Sequence, residues 1–383
     1  MQKIDVKARY KLPDKVQYCK RCVISNMRPR IVFDEEGICN ACRFAEHKRT
    51  KVNWDEREAE LRDLLDRHRS KDGGFDCVVP SSGGKDSSYV AHQLKYEYGM
   101  HPLTVTWSPL SYTDIGWQNF QALNAAGLDN IMGTPNGRTV RRLCKAAMIE
   151  MGDPFQPFIY GQILFPLNIA LKYGIKLIFS GENAEAEYGG SPEAWDSKGH
   201  GVEDYDKYWF SNFPVEYWLE RGFTRADLTS YLGPTQDQVT AAGVQRYFYG
   251  YFKNWVHQRN FYYAAEHCGF RPNTVRTEGT YTKYSSIDDR LDGFHHYFAL
   301  LKFGIGRCTA NAAREVRDGN ITREEAVALI RRYDAEFPRK YFPDLLEFCG
   351  ITEEDFWEIA EIWRNEHVWK RRGNEWILKQ QVE

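Results

Sequence analysis

Phe75-Asp76-Cys77-Val78-Val79-Pro80-Ser81-Ser82-Gly83-Gly84-Lys85-Asp86-Ser87-Ser88 joins a short apolar run to a Ser/Gly loop, and a helical pattern follows over 89–98. Strand, glycine turn and helix in that order make a cradle for a polyphosphate. Two glycines let backbone N–H groups approach phosphate oxygens, the Ser82 and Ser87 hydroxyls can donate as well, and the next helix offers its positive N-terminal end. Lys85 adds a cation. The loop is not a Walker A sequence, because Val79 stands where its first glycine belongs and Asp86 replaces the hydroxyl residue after the lysine. A carboxylate among phosphates is repelled unless a cation intervenes, which makes Asp86 the candidate magnesium ligand. The plain alternative is a Gly/Ser turn between a strand and a helix.

Working outward, residues 103–107 predict a second strand, 130–133 a third and 176–180 a fourth, with helices over 115–126, 140–151 and 162–173. Such alternation predicts an α/β fold built on a parallel sheet with helices on both faces. Upstream, the leucines of 54–69 recur at helical spacing on a charged background. From 184 to 250 the rhythm breaks into glycine, tryptophan, tyrosine and acidic residues. Beyond 254 the pattern is mainly helical, with capping-box starts at Thr322-Arg323-Glu324-Glu325 and Thr352-Glu353-Glu354-Asp355. The expected organisation is a metal-binding unit over 1–50, a linker helix over 51–72, a nucleotide-binding core over 73–183, a cleft-shaping insert over 184–253 and a helical region over 254–383.

At 383 residues the chain exceeds what one core usually serves. Charged residues make up 27%, hydrophobic residues 42%, and the net charge is −2. That balance gives no basic excess for a long polyanion, so nucleic acid is not an expected partner. The start, MQKIDVKARYKLPDK, lacks the apolar stretch of a signal peptide, and no later run is apolar enough to span a bilayer. A cytoplasmic location without membrane contact is expected.

Four of the nine cysteines fall in Cys19-Lys20-Arg21-Cys22 and, after sixteen intervening residues, Cys39-Asn40-Ala41-Cys42. This C-x2-C…C-x2-C spacing predicts two knuckles that turn four thiolates toward one ion. A tetrahedron closed by four sulfurs implies a structural zinc rather than a catalytic one; an iron–sulfur cluster and four unrelated buried thiols are the competing readings.

The SGGKDS of 82–87 after a first strand resembles the PP-loop ATP pyrophosphatases, whose core is a HUP-like parallel sheet. YCKRCVISNMRPRIVFDEEGICNACR at the N-terminus, SGGKDSSY, Gly181-Glu182-Asn183 and YTKYSSIDDRLDGFHHYFALLKFGIGR at 281–307 together resemble a narrower group. That group is the bacterial N-acetyl sugar amidotransferases of the WbpG type, which act in lipopolysaccharide O-antigen and related pseudaminic- and legionaminic-type sugar pathways. The resemblance spans about residues 18 to 345 and implies ATP-dependent adenylation of an acetamido group on a UDP-linked diacetamido-uronic acid. It also implies ATP, magnesium, a structural zinc, and ammonia from a separate glutaminase with an imidazole-glycerol-phosphate-synthase-like cyclase subunit.

In that scheme Ser82, Gly83, Gly84, Lys85, Asp86 and Ser87 hold ATP, and Asp86 and Lys85 act in catalysis. Glu182, at the end of the 176–180 strand, is a second candidate for magnesium and catalysis, because ligands of open α/β sheets collect at the carboxyl ends of strands. Gly181 belongs to the ATP site and Asn183 to the substrate site, although the same tripeptide reads equally as a capping turn. Val105 and Trp107 are placed to flank adenine. Lys283, Tyr284, Asp288, Asp289 and Arg307 are candidate substrate contacts, Lys302 is a candidate catalytic cation for pyrophosphate, and His295 and His296 are candidate bases. A solvated, ion-paired helix face explains many of the same charges. Two other functions compete: a tRNA-thiolating PP-loop enzyme, and a non-catalytic nucleotide-binding assembly protein.

Overall fold

A computed structural model describes residues 2–383. Five strands, β1 (Cys77–Pro80), β2 (Pro102–Trp107), β3 (Asp129–Gly133), β4 (Leu177–Ser180) and β5 (Gln245–Phe248), form one parallel sheet in the order β3-β2-β1-β4-β5. Both sheet faces are covered, and the strands show it residue by residue. Val78 and Ile178 enter the core under the helix Gln156–Tyr173, whereas Cys77, Val79, Leu177 and Phe179 point into the opposite core with Val90 and Leu94. Near-continuous apolar strands are what a sheet buried on both sides requires.

The expected strands and helices are present, with shifts at their ends. The helix after the loop begins at Lys85, inside the phosphate-loop sequence, and ends in a π turn at Gln93–Glu97. Two elements differ from expectation. The region 184–253 is not only an insert: after a stretch of short helices and packed aromatics it returns β5, paired to β4 in the register Leu177↔Gln245 through Ser180↔Phe248. Gln-Arg-Tyr-Phe is half polar because β5 is the sheet edge, so it carries no apolar run to announce it. The helical C-terminal region closes with an antiparallel hairpin, β6 (Trp369–Arg372) and β7 (Glu375–Leu378). Both expected capping boxes form, at Thr322 and Thr352.

The cysteine unit packs on the C-terminal helices, its four cysteines sharing a buried cluster with Ile305, Ala312, Ala313, Ala326 and Val327. No helix among the described residues is long and apolar enough to cross a membrane.

Candidate functional site

The strand order reverses between β1 and β4, and in doubly wound sheets that switch point opens a crevice at the carboxyl ends of the strands. A cavity of about 400 Å³ lies there, lined by Ser81, Ser82, Gly84, Asp86 and Ser87 after β1, by Gly181 and Glu182 after β4, and by Val105 and Trp107 of β2. That volume suits a nucleotide-sized ligand. Phe158, Ile163, Trp209 and Arg246 also line the cavity.

Inside the loop, Ser81 N–H donates to the Val105 carbonyl at 2.9 Å and Ser81 Oγ to Ser87 Oγ at 2.9 Å, while Ser87 Oγ also donates to Gly84 O at 3.1 Å. Ser82 Oγ donates to Asp288 Oδ2 at 3.0 Å, so the 281–307 segment does reach the loop. Gly83 has φ +85°, and an added Cβ would lie 2.7 Å from the Phe120 backbone. Gly83→Ala should therefore lower stability by about 1–3 kcal/mol, read by denaturant melts.

Asp86 faces the cavity from the first turn of its helix, in contact with a buried basic cluster. Its carboxylate accepts from Asn260 Nδ2 at 3.1 Å, lies 3.6 Å from His257 Nδ1 and pairs with Lys85 Nζ. Burial opposes its ionisation, but Lys85 and His257 outweigh burial and hold the carboxyl well below the usual range. Glu182 is opposite in behaviour: burial, and then the nearby Asp86 charge, raise its pKa, while Tyr188 O–H donates to it at 2.5 Å. Asp86 and Glu182 line the same phosphate-loop cavity, and two carboxylates so placed are a suitable donor set for a divalent cation. Arg314 completes the arrangement, donating to Tyr188 Oη at 2.7 Å and lying 3.2 Å from His257 Nε2. Burial and the flanking Arg314 and Lys85 charges keep His257 neutral, its pKa well below the usual value.

Several expected site residues stand elsewhere. Lys85 does not line the cavity; its buried ammonium folds back onto Asp86 and lies 3.4 Å from His257 Nδ1. Gly83 packs against Phe120 instead of facing the opening. Asn183 caps the helix Ala184–Tyr188, accepting from Ala186 N–H at 3.4 Å and donating to Ala194 O at 2.7 Å, so its side chain is spent on the backbone. Asp289 is buried and accepts from the Leu110 and Leu291 N–H groups, again a backbone anchor. Lys302 donates to the Met151 carbonyl at 3.1 Å within a cage of Tyr10, Phe303 and Trp363, outside the cavity. Lys302→Met should thus lower the melting temperature, read by thermal denaturation, while leaving the cavity walls in place.

Tyr284 stays near the site, its ring 5.8 Å from Lys85 Nζ and stacked on Phe261. Lys283 is exposed. Arg307 lies 3.0 Å from His296 Nε2, and His295 pairs with Asp153 at 2.8 Å, a contact that raises the histidine pKa against the effect of burial. Sequence reasoning missed Tyr188, His257, Asn260 and Arg314. They come from three separate segments, and only the packing of the helices His257–His267 and Arg307–Asp318 over the loop brings them together.

The four predicted metal ligands converge: Cys19, Cys22, Cys39 and Cys42 are buried, and their sulfurs lie within 4.8 Å of one another. The Cys19–Cys42 and Cys22–Cys39 separations are 3.8 and 3.7 Å. Four sulfurs about 2.3 Å from a central zinc are about 3.8 Å apart in a tetrahedron. The set therefore fits a closed structural site. Backbone N–H groups of Arg21, Cys22 and Cys39 point at Cys19 Sγ from 3.4, 3.5 and 3.2 Å, as expected around a thiolate.

Residues 278–383 match the family model described as LPS biosynthesis protein WbpG-like, C-terminal domain. The match takes in Tyr284, Asp288, Arg307 and Arg314. No curated protein matches the chain.

Proposed function

We propose, for a chain whose residues 278–383 match the WbpG-like C-terminal domain model, that it is an ATP-dependent N-acetyl sugar amidotransferase of the PP-loop class. It converts an acetamido group of a UDP-linked diacetamido-uronic acid to an acetamidino group. The observation that carries the reading is the switch-point cavity, where the SGGKDS loop and the carboxylates of Asp86 and Glu182 share one wall system.

An acetamide carbonyl is a weak electrophile because the nitrogen lone pair delocalises into it. Its oxygen attacks the α-phosphorus of ATP, the bond to the β-phosphate oxygen breaks, and pyrophosphate leaves. Ammonia adds to the resulting O-adenylyl imidate carbon, a proton is lost, and the C–O bond breaks to release AMP and the acetamidine. Loop N–H groups would bind the phosphates, the Ser82 and Ser87 hydroxyls would turn to them from Asp288 and Gly84 O, and Val105, Trp107 and Phe158 bound the apolar end that would take adenine. Asp86 and Glu182 would hold magnesium, which supplies charge neutralisation for departing pyrophosphate. Zinc in the cysteine tetrad serves structure.

Ammonia would come from a separate glutaminase with a cyclase-type subunit, and the reaction would run in the cytoplasm with its ATP and UDP-sugars. Thiolation of tRNA is disfavoured because Cys144 is buried in a hydrophobic core and Cys268 Sγ, buried in another, is turned to Ser88 O at 3.6 Å; neither lines the cavity. Purified chain given ATP, magnesium, ammonium and a UDP-diacetamido-uronate should form AMP and a sugar lighter by the difference between O and NH. Turnover that requires tRNA and a sulfur donor instead would overturn the assignment.

A further inference from the structure

The arm 181–190 leaves β4 and carries Glu182 and Tyr188 to the cavity, yet the contacts that hold it come from the cysteine unit. Arg30 Nε and Nη2 grip Glu185 at 2.9 and 2.5 Å, and that carboxylate is only 5% exposed. Lys48 Nζ pairs with Glu187 at 2.6 Å, with both side chains largely buried. Asn40 Nδ2 donates to Gly190 O at 2.7 Å. Asn40, Cys42 and Lys48 belong to one helix, Asn40–Thr50, whose N-cap is Cys39. One rigid element thus carries two of the four thiols and two contacts to the arm.

A second link closes the loop from the other side. Arg317 donates through Nη2 to Glu187 O at 2.9 Å and through Nη1 to Cys22 Sγ at 3.6 Å. Its helix, Arg307–Asp318, also presents Arg314, one turn earlier, to Tyr188 at the cavity. The guanidinium groups of Arg28 and Arg314 lie 5.8 and 4.9 Å from the Tyr188 ring centroid.

We infer that the N-terminal metal unit is a positioning element of the nucleotide site: through Arg30, Lys48 and Arg317 it fixes the 181–190 arm so that Glu182 and Tyr188 face Asp86. None of the three touches a reacting atom. The catalytic half of the inference rests on the role given to Glu182 above. Removing Arg30 leaves Glu185 buried without its cation, and the least costly response is local opening of the arm.

The test uses the full chain with Arg30→Gln and Arg30→Lys, comparing metal content, hydrogen exchange and steady-state pyrophosphate release. In Arg30→Gln the metal should stay bound, exchange over 183–190 should quicken about tenfold or more, and β1 to β4 should keep parental protection. The kcat should fall by about tenfold with the KM for the sugar within about twofold, and Arg30→Lys should recover part of both. Lys48→Met removes a different contact and should give the same pattern, which covers the case of an Arg30→Gln chain that does not fold. Unchanged exchange in the arm, quickening spread across the sheet, or parental kcat with a loosened arm would each overturn the inference. A parent chain that releases no pyrophosphate with any acetamido sugar would defeat the proposed function instead, and the exchange data would still decide whether the unit holds the arm.

Discussion

Asp86→Asn should release pyrophosphate about a thousandfold more slowly than the parent chain, with ATP still bound. The substitution keeps shape and removes charge. Asparagine can still meet Asn260 and the loop, so the fold around residue 86 should persist, as an unchanged circular dichroism spectrum and melt would report. What is lost is the carboxylate that Lys85 and His257 keep ionised at the cavity wall. Glu182 alone does not substitute for it, because it supplies one carboxylate where the pair would supply two, and burial still raises its pKa. Removing Asp86 also leaves Lys85 buried with no anion in contact, which should depress the lysine further. Pyrophosphate release within about threefold of the parent would show that Asp86 takes no part in the chemistry.

Cys39→Ser should abolish metal binding and unfold the N-terminal unit. Structural zinc contributes about 10–16 kcal/mol in finger peptides, whereas a whole domain is stable by about 5–15 kcal/mol. Between residues 18 and 50 the regular structure is limited to the helix Asn40–Thr50 and the isolated bridges Tyr18↔Ser25 and Phe33↔Cys39, so the metal sets much of the local order. Metal analysis should fall from one ion per chain to none, and limited proteolysis should open 18–50. The arm 181–190 should lose protection together with it. A metal-free Cys39→Ser chain with parental melting and parental protease resistance would contradict a structural role for the site.

The parallel sheet was legible because its inner strands are apolar runs between glycine turns and helical patterns, and the cysteine site because ligand spacing encodes geometry directly. The edges were not. Gln245–Phe248 is half polar, and the 369–378 hairpin follows a mainly helical pattern, its one signal the two-residue turn Gly373-Asn374 between Arg372 and Glu375. In the site, the loop residues and Glu182 could be placed from the ends of strands alone. Arg314, Tyr188 and His257 could not, because which face of a helix meets a loop from another segment is decided by packing. The same limit misled the reading of Lys302, Asn183 and Asp289. A buried lysine, a helix cap and a buried aspartate carry the same letters as catalytic groups, and only their backbone partners distinguish them.

Attack of the acetamido oxygen on the α-phosphorus is the central claim, and an isotope tests it most directly. A UDP-diacetamido-uronate labelled with heavy oxygen in the acetamido carbonyl would be turned over with ATP and ammonium, and AMP, pyrophosphate and water examined by mass spectrometry. The account predicts one labelled oxygen in the AMP phosphate and none in pyrophosphate or water. Unlabelled AMP from a reaction that has consumed the sugar would contradict it.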